Sequence, residues 1–135
     1  MAFQFSTTSR NASLDAIETA VGTSAVLKIR TGTVPADCGT ADAGSVLATL
    51  SLPSDWMADA SSGSKSKSGT WEDASADATG TAAHFRIYAN DGTTVHMQGT
   101  ITATGGGGDM TLDNTSIASG QQVTITSFTL SAGGA

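Results

Sequence analysis

Beyond residue 24, apolar and polar positions mostly alternate in short runs, broken by Gly, Pro, Asp and Asn. That period of two predicts strands and turns. The clearest case is Ala83 to Thr102, A-H-F-R-I-Y-A-N-D-G-T-T-V-H-M-Q-G-T-I-T, where two alternating runs flank Asn90-Asp91-Gly92. A two-residue loop at Asp91-Gly92 would set Tyr88 against Val95 and Ile87 against His96, mixing polar and apolar on each face. A three-residue loop with Gly92 left-handed pairs Ala89 with Thr93, Ile87 with Val95 and Phe85 with Met97. Arg86 then meets His96 and His84 meets Gln98. A one-residue slip turns every apolar group to water, so the pattern predicts this second register, with Phe85, Ile87, Val95 and Met97 inward.

The remaining elements follow from the same reading. Residues 1–10 look extended, with Phe3 and Phe5 alternating with polar neighbours, as an edge strand or an arm. Asn11 is the expected cap of a short helix over 11–22. Leu14, Ile17 and Val21 form its apolar stripe, Asp15 and Glu18 sit towards its first half, and Gly22 ends it. Strands are expected at 25–31 and 45–52, joined by a Gly/Pro/Asp-rich loop. One helical turn is expected at 54–60, with Trp56 and Met57 plugging the core edge. Residues 61–69, S-S-G-S-K-S-K-S-G, read as an exposed loop tip. A weak strand holds Trp71, Gly105 to Gly108 reads as a flexible hairpin connection, and 110–113 and 121–126 read as a last strand pair. The tail 131–135 is expected to fray. The fold expected is mainly β: one domain over 1–135, with a β body at 25–130. It is an antiparallel β-sandwich or squat barrel of about seven short strands with one short N-terminal helix.

Composition narrows the function. Charged residues make up 13% and the net charge is −6. Such a chain offers no basic stripe to a phosphate backbone, so nucleic-acid binding is not expected. No apolar run approaches membrane-span length, and no membrane partner is expected. The first residues lack a basic and apolar leader pattern. The single Cys38 cannot form an internal disulfide and suits a reducing cytoplasm.

Candidate chemistry is sparse. His84 and His96 share the polar face of the expected hairpin and could hold a metal with Glu72 or Asp73, or face solvent or a neighbour. Ser62 to Lys65 and Ser64 to Lys67 both fit S-x-x-K, without the companion motifs of penicillin-recognising enzymes. Asp37, Asp42, Asp55, Asp59, Asp73 and Asp77 could gather around calcium, but no D-x-D-x-D-G run is present. Gly105 to Gly108 lacks the Lys-Ser/Thr ending of a phosphate loop. No catalytic residue, cofactor or metal ligand is assigned, and the chain is not expected to be an enzyme.

Three segments carry a resemblance: R-N-A-S-L-D-A-I-E-T-A-V-G-T-S-A-V-L-K-I-R-T-G, H-F-R-I-Y-A-N-D-G-T-T-V-H-M-Q-G-T, and D-M-T-L-D-N-T-S-I-A-S-G-Q-Q-V-T-I-T-S-F-T-L. Together, spanning nearly the whole chain, they resemble small virion structural proteins of tailed bacteriophages and prophages. The resemblance implies a non-enzymatic virion component assembled in the host cytoplasm. The leading expectation is a capsid decoration or cement protein, a homo-oligomer bound to the major capsid protein or other virion proteins. The alternatives are a tail, collar or baseplate component, or a fibre-associated carbohydrate-binding module stacking sugars on Trp56, Trp71 and Tyr88. Candidate interface residues are Phe3, Phe5, Leu14 and Ile17 on the arm and helix, and His84, Arg86 and His96 on the hairpin's polar face.

Overall fold

The computed structural model describes residues 3–134; the ends of the expected arm (Met1, Ala2) and tail (Ala135) lie outside them. Helix α1 spans Thr7–Val21 and starts earlier than the apolar stripe suggested. Ser6 is its cap, accepting the Ser9 N–H at 3.1 Å. Asn11 has another partner: its Oδ1 accepts the Gly63 N–H at 2.8 Å. Gly22 stops the helix as expected, at φ 91°, its N–H on the Glu18 carbonyl.

The main sheet has five strands. In spatial order they are β2 (Val46–Ser51), β1 (Val26–Arg30), β6 (His84–Tyr88), β7 (Val95–Ala103) and β8 (Met110–Leu112). Six short strands form three two-stranded ribbons: β3 (Ser64–Ser66) with β11 (Thr129–Ser131), β4 (Trp71–Asp73) with β10 (Val123–Ile125), and β5 (Gly80–Thr81) with β9 (Ser116–Ile117). The ribbon β4–β10 lies against both ends of the main sheet, beside β2 and near β8, so the sheet curls towards a half-barrel. At the β2 side the Asp73 carboxylate accepts the Thr49 N–H at 2.9 Å. The mainly β architecture with one N-terminal helix is therefore present, cut into eleven strands among the described residues instead of about seven.

The 83–102 hairpin forms, in a register the apolar face alone could not select. Ile87 lies opposite Met97, Phe85 opposite Gly99 and Arg86 opposite Gln98. A slip of two residues keeps every side chain on its face, so apolar burial does not choose between the two registers. Gly99 breaks the tie: a Cβ there would stand 2.8 Å from the Phe85 ring. Near the turn Tyr88 pairs with Val95, and a bulge between Ile87 and Tyr88 leaves His96 without a direct partner. Val95 consequently sits on the polar face with Tyr88, not inward as expected. Phe85 and Ile87 are buried, and Met97 packs against the core. Asp91 pins the turn, accepting the Thr93 and Thr94 N–H groups and the Thr94 hydroxyl.

Residues 105–108 do not connect a hairpin. β7 and β8 run parallel, with Ile101 opposite Met110. Parallel neighbours usually need a crossover of roughly a dozen residues or more. Here residues 104–109 fold straight back along β7. A Cβ on Gly108 would stand 2.9 Å from the Thr102 nitrogen, so this return needs glycine. The expected pairing of 110–113 with 121–126 is likewise replaced: β10 joins β4, placing Ile125 opposite Trp71.

Inside the curl, Leu27, Ile29, Leu50, Ile87, Trp56 and Trp71 are fully buried. Trp56, Trp71, Phe128 and Phe85 follow one another at centroid spacings of 5.9, 5.7 and 5.6 Å. Trp56 and Met57 are core residues as expected, but no helical turn holds them.

The helix docks through charge. Lys65, in the segment expected to be a loop tip, is 1% exposed on β3. Its ammonium donates to Asp15 at 2.6 Å, Glu18 at 2.7 Å and the Ala58 carbonyl at 2.9 Å, filling all three N–H positions. Asp15 and Glu18 thus hold the helix to the body; neither lies in the first turn, where the dipole acts most strongly. The expected stripe splits: Leu14 and Val21 are buried, Ile17 is exposed. The tail is tied down too, with Ala132 N–H on the Gly63 carbonyl and Arg10 Nε on the Ala132 carbonyl.

Lys65→Ala leaves two carboxylates facing an emptied buried site. We expect a stability loss of about 2 kcal/mol in urea titration, below the range for a fully buried pair because the Asp15 and Glu18 side chains left behind are 47% and 21% exposed. Lys67→Ala, whose ammonium meets the exposed Gly69 carbonyl and lies 5.8 Å from the centre of the Trp71 ring, should stay within about 1 kcal/mol. Equal losses would refute the assignment of Lys65 as the helix anchor.

Candidate functional site

Two regions collect the chemically distinctive residues: the outer face of β1 and β6, and the pole where the arm meets α1.

On the outer face the side chains are polar, yet every residue of β6 is buried. The cover is the chain between β1 and β2, residues 31–45, which closes on itself where Thr31 N–H meets the Ser45 carbonyl at 3.1 Å. Asp42 descends from this flap onto the sheet. Its carboxylate accepts from Arg30 Nη2 at 3.0 Å, Arg86 Nη1 at 2.9 Å and the Tyr88 hydroxyl at 2.8 Å. Arg86 donates further to the Gln98 side chain and to the Asp37 and Thr40 carbonyls. Gln98 donates to the Pro35 carbonyl at 2.7 Å.

Asp42 feels opposing influences. Partial burial pushes its carboxyl up. The hydrogen bonds from Tyr88 and Arg86 and the charges of Arg30 and Arg86 outweigh that, holding it below the usual carboxylate range. Burial, then the bond to Asp42, pushes the Tyr88 phenol up, so it stays a donor.

His84 lies at the flap's foot with no exposed surface. Its Nδ1 is 2.8 Å from the Gly32 carbonyl, which can only accept, so Nδ1 carries the proton. Nε2 is buried with no hydrogen-bond partner among the described residues. Burial, followed by the charges of Arg30 and Arg86, holds the imidazole below its ordinary 6.5, against the raising effects of Gly32 and Asp42.

At the arm pole, Phe3 is 81%, Phe5 52% and Ile17 40% exposed, the only large apolar side chains exposed among the described residues. Phe3 and Phe5 meet edge to face at 5.2 Å. The Phe5 N–H donates to the Gly134 carbonyl at 2.6 Å, fixing the arm beside the tail. A shallow, mainly apolar groove of about 420 Å³ runs between Phe5, Leu14, Ile17 and residues 131–133.

The expected interface residues therefore separate. Phe3, Phe5 and Ile17 share one exposed pole, and Leu14 lies beneath it in the groove wall. His84 and Arg86 are interior residues, because the flap covers the face expected to be open. His96, in the bulge, stays exposed. The two histidines do not share a ligand site, and no group of three His, Cys, Asp or Glu converges among the described residues. The loop acids are dispersed: Asp37 caps Thr40, Asp73 binds Thr49 and Ser75, and Asp77 accepts the Thr49 hydroxyl. Trp56, Trp71 and Tyr88 are all buried, so they form no sugar platform. Lys65 of the S-x-x-K stretch has its ammonium stabilised by Asp15 and Glu18 against the cost of burial, the opposite of what a general base needs. Sequence reasoning named Asp42 only as a possible calcium ligand and Lys65 only in an S-x-x-K spacing, and missed the ion pairs both make; the one available signal was that cations on strand positions need acids elsewhere.

Asp42→Ala strands two guanidinium groups under the flap. We expect a loss of about 2 kcal/mol, discounted from the fully buried case because Asp42 is 40% exposed. A depressed carboxyl contributes stability that is complete above its unfolded value near 3.8 and is lost as pH falls below it. The wild type should therefore lose more stability than Asp42→Ala between about pH 5 and about pH 2.5. Parallel pH curves for the two proteins would contradict the three-donor assignment.

No family model, curated protein or solved structure matches this chain.

Proposed function

We propose that the protein is a non-enzymatic virion structural protein. It decorates a capsid and docks on the major capsid protein or a neighbouring subunit through the Phe3–Phe5–Ile17 pole. The observation that carries this reading is the segregation of exposed apolar surface. An otherwise acidic, polar exterior keeps its large exposed apolar side chains at one pole, beside an open apolar groove. Contiguous apolar exposure marks a protein contact more often than a solvent-facing surface. Two ring faces at i and i+2 on an extended arm suit insertion beside a neighbour's strand edge. The sequence style of three segments along the chain supports the virion setting.

The test must spare the fold. Ser6 caps the helix and Arg10 holds the tail, so deleting the whole arm would confuse docking with unfolding. Phe3→Ser/Phe5→Ser removes the rings and keeps both anchors. Particles assembled with this variant should carry about tenfold fewer copies by mass spectrometry, while its thermal melt stays within about 2 °C of wild type. Unchanged occupancy would overturn arm-mediated docking. Absence of the wild-type chain from purified virions would overturn the virion reading itself. A copy number far below that of the capsid protein would move it from the head surface to the tail, collar or baseplate.

A further inference from the structure

We propose that residues 31–45 are an acid-released flap, lifted from the sheet when His84 takes up a second proton. None of its residues belongs to the apolar core. Pro35 is buried and Val34 half-buried, but the specific attachments are polar: Asp42 to Arg30, Arg86 and Tyr88, the Asp37 and Thr40 carbonyls to Arg86, the Pro35 carbonyl to Gln98, and the Gly32 carbonyl to His84. Such an attachment depends on charge state in a way apolar packing does not.

The charges around His84 leave no room for another. Arg30 faces it from β1, Arg86 from β6 and Asp42 from the flap. With neutral imidazole, two cations share one carboxylate. A proton on Nε2 adds a third cation, and Asp42 already accepts three hydrogen bonds. The new N–H would also be buried with no acceptor. Both costs disappear once water reaches Nε2. The flap touches the ring through the Gly32 carbonyl, and Gly32 and Gly44 at its two ends, both at positive φ, can absorb a rotation. Lys28 meets the cluster only at its rim: its ammonium is held by the Gly92 carbonyl and lies 4.9 Å from the centre of the Tyr88 ring. The Asp37 carboxylate is occupied with Thr40.

The direction follows from the two states. The unfolded or opened chain takes up the proton near 6.5, the closed chain only below that. The closed flap is therefore fully favoured above about pH 6.5 and loses ground as pH falls. Opening would bare Arg30, Arg86 and His84, a cationic face on an acidic chain.

Hydrogen exchange on the full chain tests this, with rates corrected for intrinsic pH dependence. Between about pH 7.5 and about pH 5, protection across residues 31–45 should fall about tenfold, with β6 and β1 unchanged. His84→Asn keeps a donor near Nδ1 for Gly32 and cannot be protonated, so its flap protection should not respond to pH. Wild-type protection that is flat, or an equal response in the variant, overturns the proposal. Should His84→Asn not fold, the wild type still decides. Cys38, half-buried in the flap, should react with a disulfide reagent active in acid at a rate that follows the His84 ring titration by NMR. A rate that follows His96 instead, or does not change, overturns it.

Discussion

Two guanidinium groups on one face of a β-sheet are tolerable away from water only when their N–H groups find acceptors. That constraint shapes the half of the molecule outside β1 and β6. Arg30 and Arg86 lie on neighbouring strands, with Arg86 opposite Lys28 and Arg30 opposite His84. The sheet itself offers no acid to them. The chain answers by throwing residues 31–45 over the face, so that one carboxylate and several backbone carbonyls reach down. Asp42 is where the strands and the cover meet. The sheet is thus buried on both sides by different physics: apolar contacts within the curl, charge-assisted hydrogen bonds beneath the flap.

The same solution recurs at the helix. α1 buries only Leu14 and Val21, too little apolar surface to fix a helix of its length. Lys65 supplies the rest by drawing Asp15 and Glu18 onto β3. All six basic residues have named oxygen acceptors: Arg30, Arg86 and Lys65 in buried clusters, and Arg10, Lys28 and Lys67 on backbone carbonyls. The charge left facing outward is mostly acidic. A surface of that kind repels its own copies and phosphate polymers at long range, and attachment to anything then relies on a local apolar contact. The arm pole has that character.

The hairpin, the curled β architecture, the strands at 26–30 and 46–51 and the Gly22 stop were all legible, because each leaves a local trace: period two, or a glycine where the chain turns. What was not legible depends on partners far away in sequence. The hairpin's register rested on Gly99 lying beneath Phe85. The helix start was hidden because S-T-T-S offers several caps and Asn11 looked like the last good one before the apolar run. Residues 61–69 misled most. Serines and glycines read as an exposed tip, yet the central lysine is among the most buried side chains, because two acids 50 and 47 positions away meet it. His84 and Arg86 misled in the same way, since alternation tells which face a residue takes and not whether a loop covers that face.

These misses share one cause, and it bears on function. In a chain with only 13% charged residues, a buried ion pair is a costly feature, and replacing it with apolar side chains is often neutral or stabilising. Charge can instead give an attachment that a change in pH undoes, which apolar packing gives less readily. The sheet's inner face uses apolar packing and has no such sensitivity. The flap and the helix use charge. A helix that must stay put and a flap that can lift make different demands, and the two clusters differ accordingly. Lys65 meets two acids and all its donors are filled, whereas the flap cluster carries one acid for two guanidiniums and an imidazole with an idle nitrogen. The first is a closed account of charge and hydrogen bonds; the second is one proton away from imbalance.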